Sequence, residues 1–174
     1  MDEVICKFLD HLCQEYNSLN NTNLKPYQID SWYLDKFIGQ EGKEIFKKSG
    51  FFISLKPYEN AIEIVELLNK EYEIIIASKA QNYVTAIEKY QWIEKYMPFI
   101  NFNQITLTNH KHLLKADIMI DDCGYYLELF KENCSGITVC FDKPYNKEYN
   151  FDYRIYNNNW LELYDLIKGL GKLI

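Results

Sequence analysis

Residues 73–78, EIIIAS, form a short, continuous apolar run that ends in a hydroxyl side chain. Such a run is typical of a strand that is buried on both faces. Four more strand-like runs follow, and helical patterns separate them: QITLT (104–108), ADIMI (116–120), GITVCF (136–141) and YRIY (153–156). Alternating strands and helices predict an α/β fold, here a doubly wound parallel sheet with helices on both sides.

The first third of the chain does not follow this alternation. Apolar residues recur with helical spacing from Val4 to Tyr16, and a longer helical pattern follows Pro57. Between these two helices lies a predominantly helical stretch that does not follow the strand–helix alternation of the rest of the chain. We therefore predict a core made of residues 1–17 and 57–174, with residues 18–56 inserted as a small helical cap.

Composition excludes several classes of protein. A formal net charge of −6 over 174 residues argues against a nucleic-acid groove, which needs a basic face. No apolar stretch is long enough to predict a membrane span, and the N-terminus lacks the pattern of a secretory signal. The five cysteines lack CxxC spacing, which predicts reduced, mostly buried thiols in a cytoplasmic protein. The three histidines are not spaced as a zinc site.

Polar side chains follow three of the predicted strands at the points where the strands end: Ser78 and Lys79, then Lys111, then Asp121 and Asp122. The carboxyl ends of parallel strands meet at one edge of a sheet, where ligands bind. Two carboxylates about 4 Å apart repel each other by roughly 4 kcal/mol at an effective dielectric near 20. Because hard oxygen ligands suit Mg²⁺, the adjacent aspartates indicate a magnesium site.

Each of these residues also has a structural interpretation. One aspartate could cap the helix that begins at Gly124, Ser78 could be a turn or cap residue, and Lys111 could be an ordinary surface lysine. Their order at successive strand ends favours the chemical interpretation. A hydroxyl, an ammonium group and a bound Mg²⁺ are suited to phosphoryl transfer.

Residues 1–8, MDEVICKF, resemble the second half of the opening motif of haloacid-dehalogenase-like (HAD) phosphatases, Asp-x-Asp-Gly-Val/Thr. The closer resemblance is to the 5'(3')-deoxyribonucleotidase family, and it covers nearly the whole chain. The matching segments occur in the family's order: GFFISLKPYENAIEIVELL (50–68), IIIAS (74–78), EKYQWIEKY (88–96), TNHK (108–111) and ADIMIDD (116–122).

The resemblance implies a role for each polar residue at the strand ends. Asp2 corresponds to the aspartate that protonates the leaving oxygen, later activates water, and lends its backbone carbonyl to Mg²⁺. Ser78 corresponds to the residue that holds the phosphate, and Lys111 to the lysine that balances the nucleophile and the phosphate. Asp121 and Asp122 correspond to the acidic pair that anchors Mg²⁺. The resemblance does not show which of the two binds the metal directly.

The resemblance also implies a substrate site. Phe8, Trp32 and Phe52 correspond to an aromatic wall around the nucleoside, although core packing is an equally simple role for such side chains. Lys79, beside Ser78, is placed with the substrate-binding residues, but relatives often carry a small residue there. Glu3 replaces the family's usual glycine, which puts the turn after Asp2 in question.

The nucleophilic aspartate of the motif would lie two residues before Asp2, one place before Met1. The strand that carries it would precede Met1 as well, and its burial is worth on the order of 10 kcal/mol, a typical domain's whole stability. We therefore interpret MDEVICKF as half a motif and expect the sequence to start at an internal methionine.

These inferences predict a Mg²⁺-dependent phosphomonoester hydrolase whose partner is a small phosphoester, a (deoxy)nucleoside monophosphate in the first instance. A HAD phosphatase for another small phosphoester and a non-catalytic phosphate- or nucleotide-binding protein are the alternatives. A receiver domain of two-component signalling fits less well, because there the acidic pair precedes the hydroxyl residue. Neither nucleic acid nor membrane is an expected partner, and a homodimer is compatible with the sequence.

Overall fold

The computed structural model describes residues 1–171 as an α/β fold with parallel strands and flanking helices. The strands are short: β1 Ile76–Ser78, β2 Ile105–Leu107, β3 Ile118–Asp121, β4 Ile137–Phe141 and β5 Tyr153–Ile155. The helices are α1 Phe8–Asn20, α2 Asp35–Gly42, α3 Ala61–Asn69, α4 Tyr83–Tyr96, α5 Gly124–Asn133 and α6 Trp160–Leu170. The predicted strand–helix alternation is confirmed, although β1 takes up only the last three residues of the EIIIAS run.

The strands form two sheets instead of the single sheet that the alternation predicts. β1 pairs with β2, and β3, β4 and β5 pair in that order, with every pairing parallel. Residues Met1 and Asp2 line the same cavity as Ser78, at the carboxyl end of β1, and Asp122, just after β3. The carboxyl ends of the two sheets therefore face one site, as the prediction requires.

The helices bury one face each, as their apolar spacing predicts. In α6, the buried residues Trp160, Leu163 and Ile167 recur at helical intervals, and α6 packs against α3. α5 packs against β3 and β4. This packing fixes the two sheets relative to the helices whose loops reach the cavity.

The N-terminal turn differs from the predicted helix. Residues 2–7 do not join α1, which begins only at Phe8. Instead, the amides of Ile5 and Cys6 donate to the carbonyl of Met1. This turn leaves Asp2 at the carboxyl ends of the strands instead of on a helix face.

Residues 18–56 contain α2 and short 3₁₀ turns at Pro26–Gln28, Ile45–Lys47 and Phe52–Ser54. α2 is kinked at Gly39, where a φ of 64° breaks the helical path. The segment is less regular than the rest of the chain, and its residues form one side of the cavity described below.

The five cysteines are unpaired. Four of them are buried, namely Cys6, Cys13, Cys123 and Cys140, and Cys134 is half-buried. Burial raises the pKa of each of the four buried thiols. Within residues 1–171, no helix is both long and apolar enough to cross a membrane.

Candidate active site

A cavity of about 380 Å³ opens at the carboxyl ends of β1 and β3. Residues that follow the strands line one side, including Ser78, Lys79, Lys111 and Asp122, together with Asp2. The 18–56 segment lines the other side with Ile29, Ser31, Trp32, Tyr33, Leu34, Asp35, Lys43, Phe46 and Lys47. A polar floor and a largely apolar opposite wall suit a small ligand that has one charged end.

Lys89, from the middle of α4, connects the polar residues below the cavity. Its ammonium group donates to Asp2 Oδ2 at 2.5 Å, to Ser78 Oγ at 2.9 Å and to the carbonyl of Lys79 at 2.7 Å. A lysine has three N–H donors, so this set of acceptors satisfies all of them. The side chain of Lys89 is fully buried, whereas that of Asp2 is 28% exposed.

Lys111 forms the corresponding ion pair on the β3 side, with Asp121 Oδ2. The other oxygen of Asp121 accepts the amides of Asp122 and Cys123, each at 3.0 Å. Burial opposes ionisation of Asp121, but the charge of Lys111 holds its pKa below the usual range. Both carboxylate oxygens of Asp121 therefore have partners within the protein.

Asp122 is placed differently from its neighbour. Its Oδ2 accepts the hydroxyl of Tyr145 at 2.6 Å, and its backbone carbonyl accepts the amide group of Asn146. Burial and the adjacent charge of Asp121 raise the pKa of Asp122 to about 7. Asp122 lines the cavity, so its carboxylate is the one of the pair that a ligand in the cavity can reach.

Glu3 holds the turn after Asp2 against two other parts of the chain. Its φ of 55° is in the left-handed region, which favours glycine, the residue expected at this position. The buried carboxylate accepts the amide of Leu9 at 2.7 Å, the hydroxyl of Tyr58 at 2.9 Å and the ammonium group of Lys143 at 2.6 Å. These charge-assisted bonds offset the cost of the backbone conformation, on the order of 1–3 kcal/mol.

The three predicted aromatic residues occupy different positions. Phe8 and Trp32 line the cavity, and the Trp32 ring meets Tyr145 edge-on with 5.6 Å between centroids. Phe52 is fully buried and lies beneath the cavity instead of lining it. Lys89 Nζ lies 4.5 Å from the centroid of the Phe52 ring.

Most of the polar residues predicted from the sequence thus come together: Asp2, Ser78, Lys79, Lys111 and Asp122 line the cavity, and Asp121 lies directly behind them. Sequence reasoning missed Lys89, Tyr145 and Lys143. Lys89 could have been noticed, because it lies in EKYQWIEKY, a segment that carried the family resemblance without being given a role. Tyr145 and Lys143 had no comparable signal.

The acidic residues predicted to bind Mg²⁺ differ in whether their carboxylates are free to bind a cation. Within residues 1–171, no group of three or more His, Cys, Asp or Glu side chains is close enough to enclose a metal ion. Lys89 and Lys111 already pair with Asp2 and Asp121. Asp122 remains the acidic side chain that fits a hard cation, because it lines the cavity and, among the described residues, only its Oδ2 has a hydrogen-bond partner, the Tyr145 hydroxyl.

A family model described as "5' nucleotidase, deoxy (Pyrimidine), cytosolic type C protein" matches residues 1–173. Curated relatives named "5'(3')-deoxyribonucleotidase" occur in Bacillus subtilis and in Bacillus phage SPbeta, each 29% identical over 94% of this chain and 92% of the relative. A "Putative 5'(3')-deoxyribonucleotidase" of Staphylococcus epidermidis is 31% identical over 87% of this chain and 86% of its own length. The chain therefore belongs to the family described as "5' nucleotidase, deoxy (Pyrimidine), cytosolic type C protein", within the HAD-like α/β proteins.

Proposed function

We propose that the protein is a Mg²⁺-dependent phosphomonoester hydrolase that removes phosphate from deoxynucleoside monophosphates through an aspartyl-phosphate. The convergence of Asp2, Ser78, Lys111 and Asp122 on one cavity with an aromatic far wall supports this proposal most directly. Family membership and the names of the relatives support hydrolysis of nucleotides.

The floor of the cavity is suited to a phosphate group. The Ser78 hydroxyl can donate to a phosphate oxygen while it still accepts from Lys89. Lys89 and Lys111 bring two positive charges to the floor, next to carboxylates that would otherwise repel an anion. We infer that these lysines divide their charge between the aspartates and a bound phosphate.

Asp122 is our candidate for the direct magnesium ligand, together with the backbone carbonyl of Asp2 that the family resemblance implies. Asp121 suits an indirect role, because Lys111 and two backbone amides already occupy both of its oxygens. Bound Mg²⁺ would neutralise negative charge on the phosphoryl group during transfer. The Tyr145 hydroxyl holds Asp122 Oδ2 and so orients the carboxylate toward the cavity.

We assign the leaving-group proton to Asp2, as the resemblance implies. Lys89 fixes the Asp2 carboxylate by its 2.5 Å contact, so the side chain does not need to reorient when a substrate binds. An aspartyl-phosphate also needs a nucleophilic carboxylate, which the resemblance places two positions ahead of Asp2, outside residues 1–174.

We propose that residues 18–56 act as a cap that recognises the nucleoside. Trp32, Tyr33 and Phe46 bring aromatic side chains to the cavity opposite the phosphate site. Stacking of a base on such rings contributes about 1–3 kcal/mol per base. Phe8 extends this wall from the core side.

Phosphate release and ligand binding, measured with Mg²⁺ on deoxynucleoside and ribonucleoside 5'- and 3'-monophosphates and on sugar phosphates, test the proposal. We expect deoxynucleoside monophosphates to bind best, and a chain extended by an aspartate two positions ahead of Asp2 to release phosphate from them fastest. In that extended chain, Asp122→Asn or chelation of Mg²⁺ should abolish release. Asp152→Asn, which changes a carboxylate outside the cavity, serves as the matched control.

Three outcomes separate the alternatives. Equal release from sugar phosphates would indicate a phosphatase for other small esters. Nucleotide binding without release, even in a chain extended by the aspartate two positions ahead of Asp2, would indicate a non-catalytic binding protein. Absence of binding to any phosphate compound would contradict the proposal as a whole.

A further inference from the structure

Glu88, one residue before Lys89 on α4, is a buried carboxylate with no ion-pair partner among residues 1–171. Its two oxygens accept four hydrogen bonds instead. Oε1 accepts the Ser49 hydroxyl at 3.0 Å and the Gly50 amide at 2.5 Å. Oε2 accepts the amides of Phe52 at 3.0 Å and Ile53 at 3.4 Å.

All four donors come from one short stretch. Residues 47–55, here called the return segment, are the last part of the 18–56 segment and lead back to the core. Gly50 has a φ of 95°, a conformation that L side chains rarely adopt, and this turn helps aim successive amides at one carboxylate. Hydrogen bonds to an ionised carboxylate are stronger than those to a neutral acceptor. Glu88 therefore holds the return segment more strongly than a neutral side chain with the same contacts would.

Asn82, which caps the N-terminus of α4, and Trp92 within α4 hold the same segment at its ends. The Asn82 side chain donates to the carbonyl of Lys47 at 3.1 Å, and the Trp92 indole donates to the carbonyl of Leu55 at 2.7 Å. Glu88 lies between these two contacts along α4. The return segment is therefore attached to the helix at its start, middle and end.

The return segment is in direct contact with the wall of the cavity. Lys47 lines the cavity and belongs to the segment, and Phe46 lines it one residue earlier. The Phe52 ring packs on Phe8, which also lines the cavity, with 6.0 Å between centroids. A shift of the return segment would therefore move this wall directly, whereas it would reach Ser78 only indirectly, through the contact between Phe52 and Lys89.

We propose that Glu88 is a positioning residue that determines how the protein binds the nucleoside part of its substrate. By fixing the return segment on α4, it sets the distance between the aromatic wall and the phosphate site. This inference rests on the proposed function, which it extends to the question of which group holds the nucleoside end. It predicts that weakening the Glu88 contacts impairs recognition of the nucleoside more than recognition of phosphate.

Glu88→Gln tests this prediction, because it keeps the size of the side chain and removes its charge. The Gln amide nitrogen cannot accept hydrogen bonds, so two of the four donors lose their partner. Because half of the contacts that fix the return segment are lost, the affinity for thymidine 5'-monophosphate should fall about tenfold. The affinity for inorganic phosphate should change less than about twofold, because its proposed contacts lie at the strand ends.

Hydrogen exchange gives a second measurement that does not depend on turnover. The amides of Gly50 and Phe52 should be protected in the wild-type protein and exchange faster in Glu88→Gln, while the amides of β4 keep their protection. Glu94→Gln is the matched control, since Glu94 is exposed on the same helix and should leave both measurements unchanged.

The outcomes distinguish this inference from the proposed function. If the wild-type protein binds neither ligand, the proposed function is wrong, and this assignment fails with it. If the wild-type protein binds thymidine 5'-monophosphate and Glu88→Gln binds it equally well, only the assignment is overturned. A parallel loss of phosphate and nucleotide affinity would also overturn it, because the residue would then support the whole site without selecting the nucleoside end.

Discussion

Lys89 and Lys111 both pair with an aspartate below the cavity, but they differ in how they reach it. Lys111 lies in the loop after β2 and contacts one carboxylate, and its side chain is still 12% exposed. Lys89 extends from the middle of a helix, is fully buried and has three oxygen acceptors around its ammonium group. The comparison indicates that the β1 side of the site depends on one enclosed lysine that joins three acceptors, whereas the β3 side depends on a single ion pair whose aspartate has further partners.

Lys89→Met should have the largest effect. Removing one partner of a buried ion pair costs about 3–5 kcal/mol of unfolding free energy, because the other groups lose their partner without regaining full hydration. Urea unfolding would measure the loss, and phosphate affinity should fall as well, because Ser78 and Asp2 lose their common donor. Lys95→Met, on an exposed part of the same helix, is the control. A loss below about 1 kcal/mol would show that Lys89 is not the organising charge that its contacts indicate.

Lys111→Met should destabilise the protein less, by about 3 kcal/mol, because Lys111 has one acceptor and Asp121 keeps the amides of Asp122 and Cys123 as partners. The adjacent carboxylates Asp121 and Asp122 would lose their nearest cation, so binding of an anionic ligand should weaken strongly. The same urea titrations and phosphate-binding measurements apply. If Lys111→Met proved more destabilising than Lys89→Met, the comparison between the two sides of the site would be reversed.

Ser78→Ala sharpens the comparison by removing one of the three acceptors of Lys89 and leaving the other two. Loss of a hydrogen bond to a charged group should cost about 1.5–3 kcal/mol, and the remaining acceptors should keep the cost at the lower end. Unfolding measurements with Ser135→Ala, an exposed serine, as the control would test this value. Equal stability of Ser78→Ala and the wild-type protein would mean that the Ser78 contact adds nothing to the β1 side.

Asp152→Asn gives the baseline for an ion pair outside the cavity. Burial raises the pKa of Asp152, but its bonds with Lys131 and Thr138 outweigh this effect and lower the pKa to about 2. Because the pKa of Asp152 in the folded state is depressed below the ordinary value of 3.8, this group stabilises the fold above that pH, and the contribution disappears as the pH falls toward 2. With side chains 53% and 33% exposed, the pair should contribute about 1 kcal/mol or less.

Unfolding of wild-type and Asp152→Asn proteins at pH 6 and at pH 3 would measure this contribution. The wild-type advantage should be larger at pH 6, and an advantage that grew as the pH fell would contradict the assigned direction of the pKa shift.

The alternation of apolar runs and helical patterns predicted the α/β fold because both periodicities are local properties of the chain. The division into two sheets could not be predicted in this way, since it depends on which strands pair across the molecule. For the same reason, the N-terminal pattern from Val4 predicted a helix start too early. The hydrogen bonds to the Met1 carbonyl and the left-handed Glu3 form a turn that apolar spacing does not encode.

The search for polar residues at strand ends found Ser78, Lys111 and the two aspartates because β strands deliver their next residues to a common edge. It could not find Lys89, whose long side chain reaches the same place from a helix. Nor could it place Phe52, because an aromatic residue in a loop can line a cavity or support one from below. Long side chains that bridge elements are the part of a site that strand order alone does not reveal.

The distribution of cysteines gives the protein a built-in set of reporters for partial opening. A thiol-specific reagent added to the native protein should modify Cys134 first, since the other four thiols are buried and held protonated by their raised pKa values. Cys6 and Cys13 lie in the N-terminal turn and α1, whereas Cys123 and Cys140 lie beside and within the β3–β4 pair. The order in which mass spectrometry detects their alkylation would therefore show whether local opening occurs first in the N-terminal turn and α1 or around the β3–β4 pair.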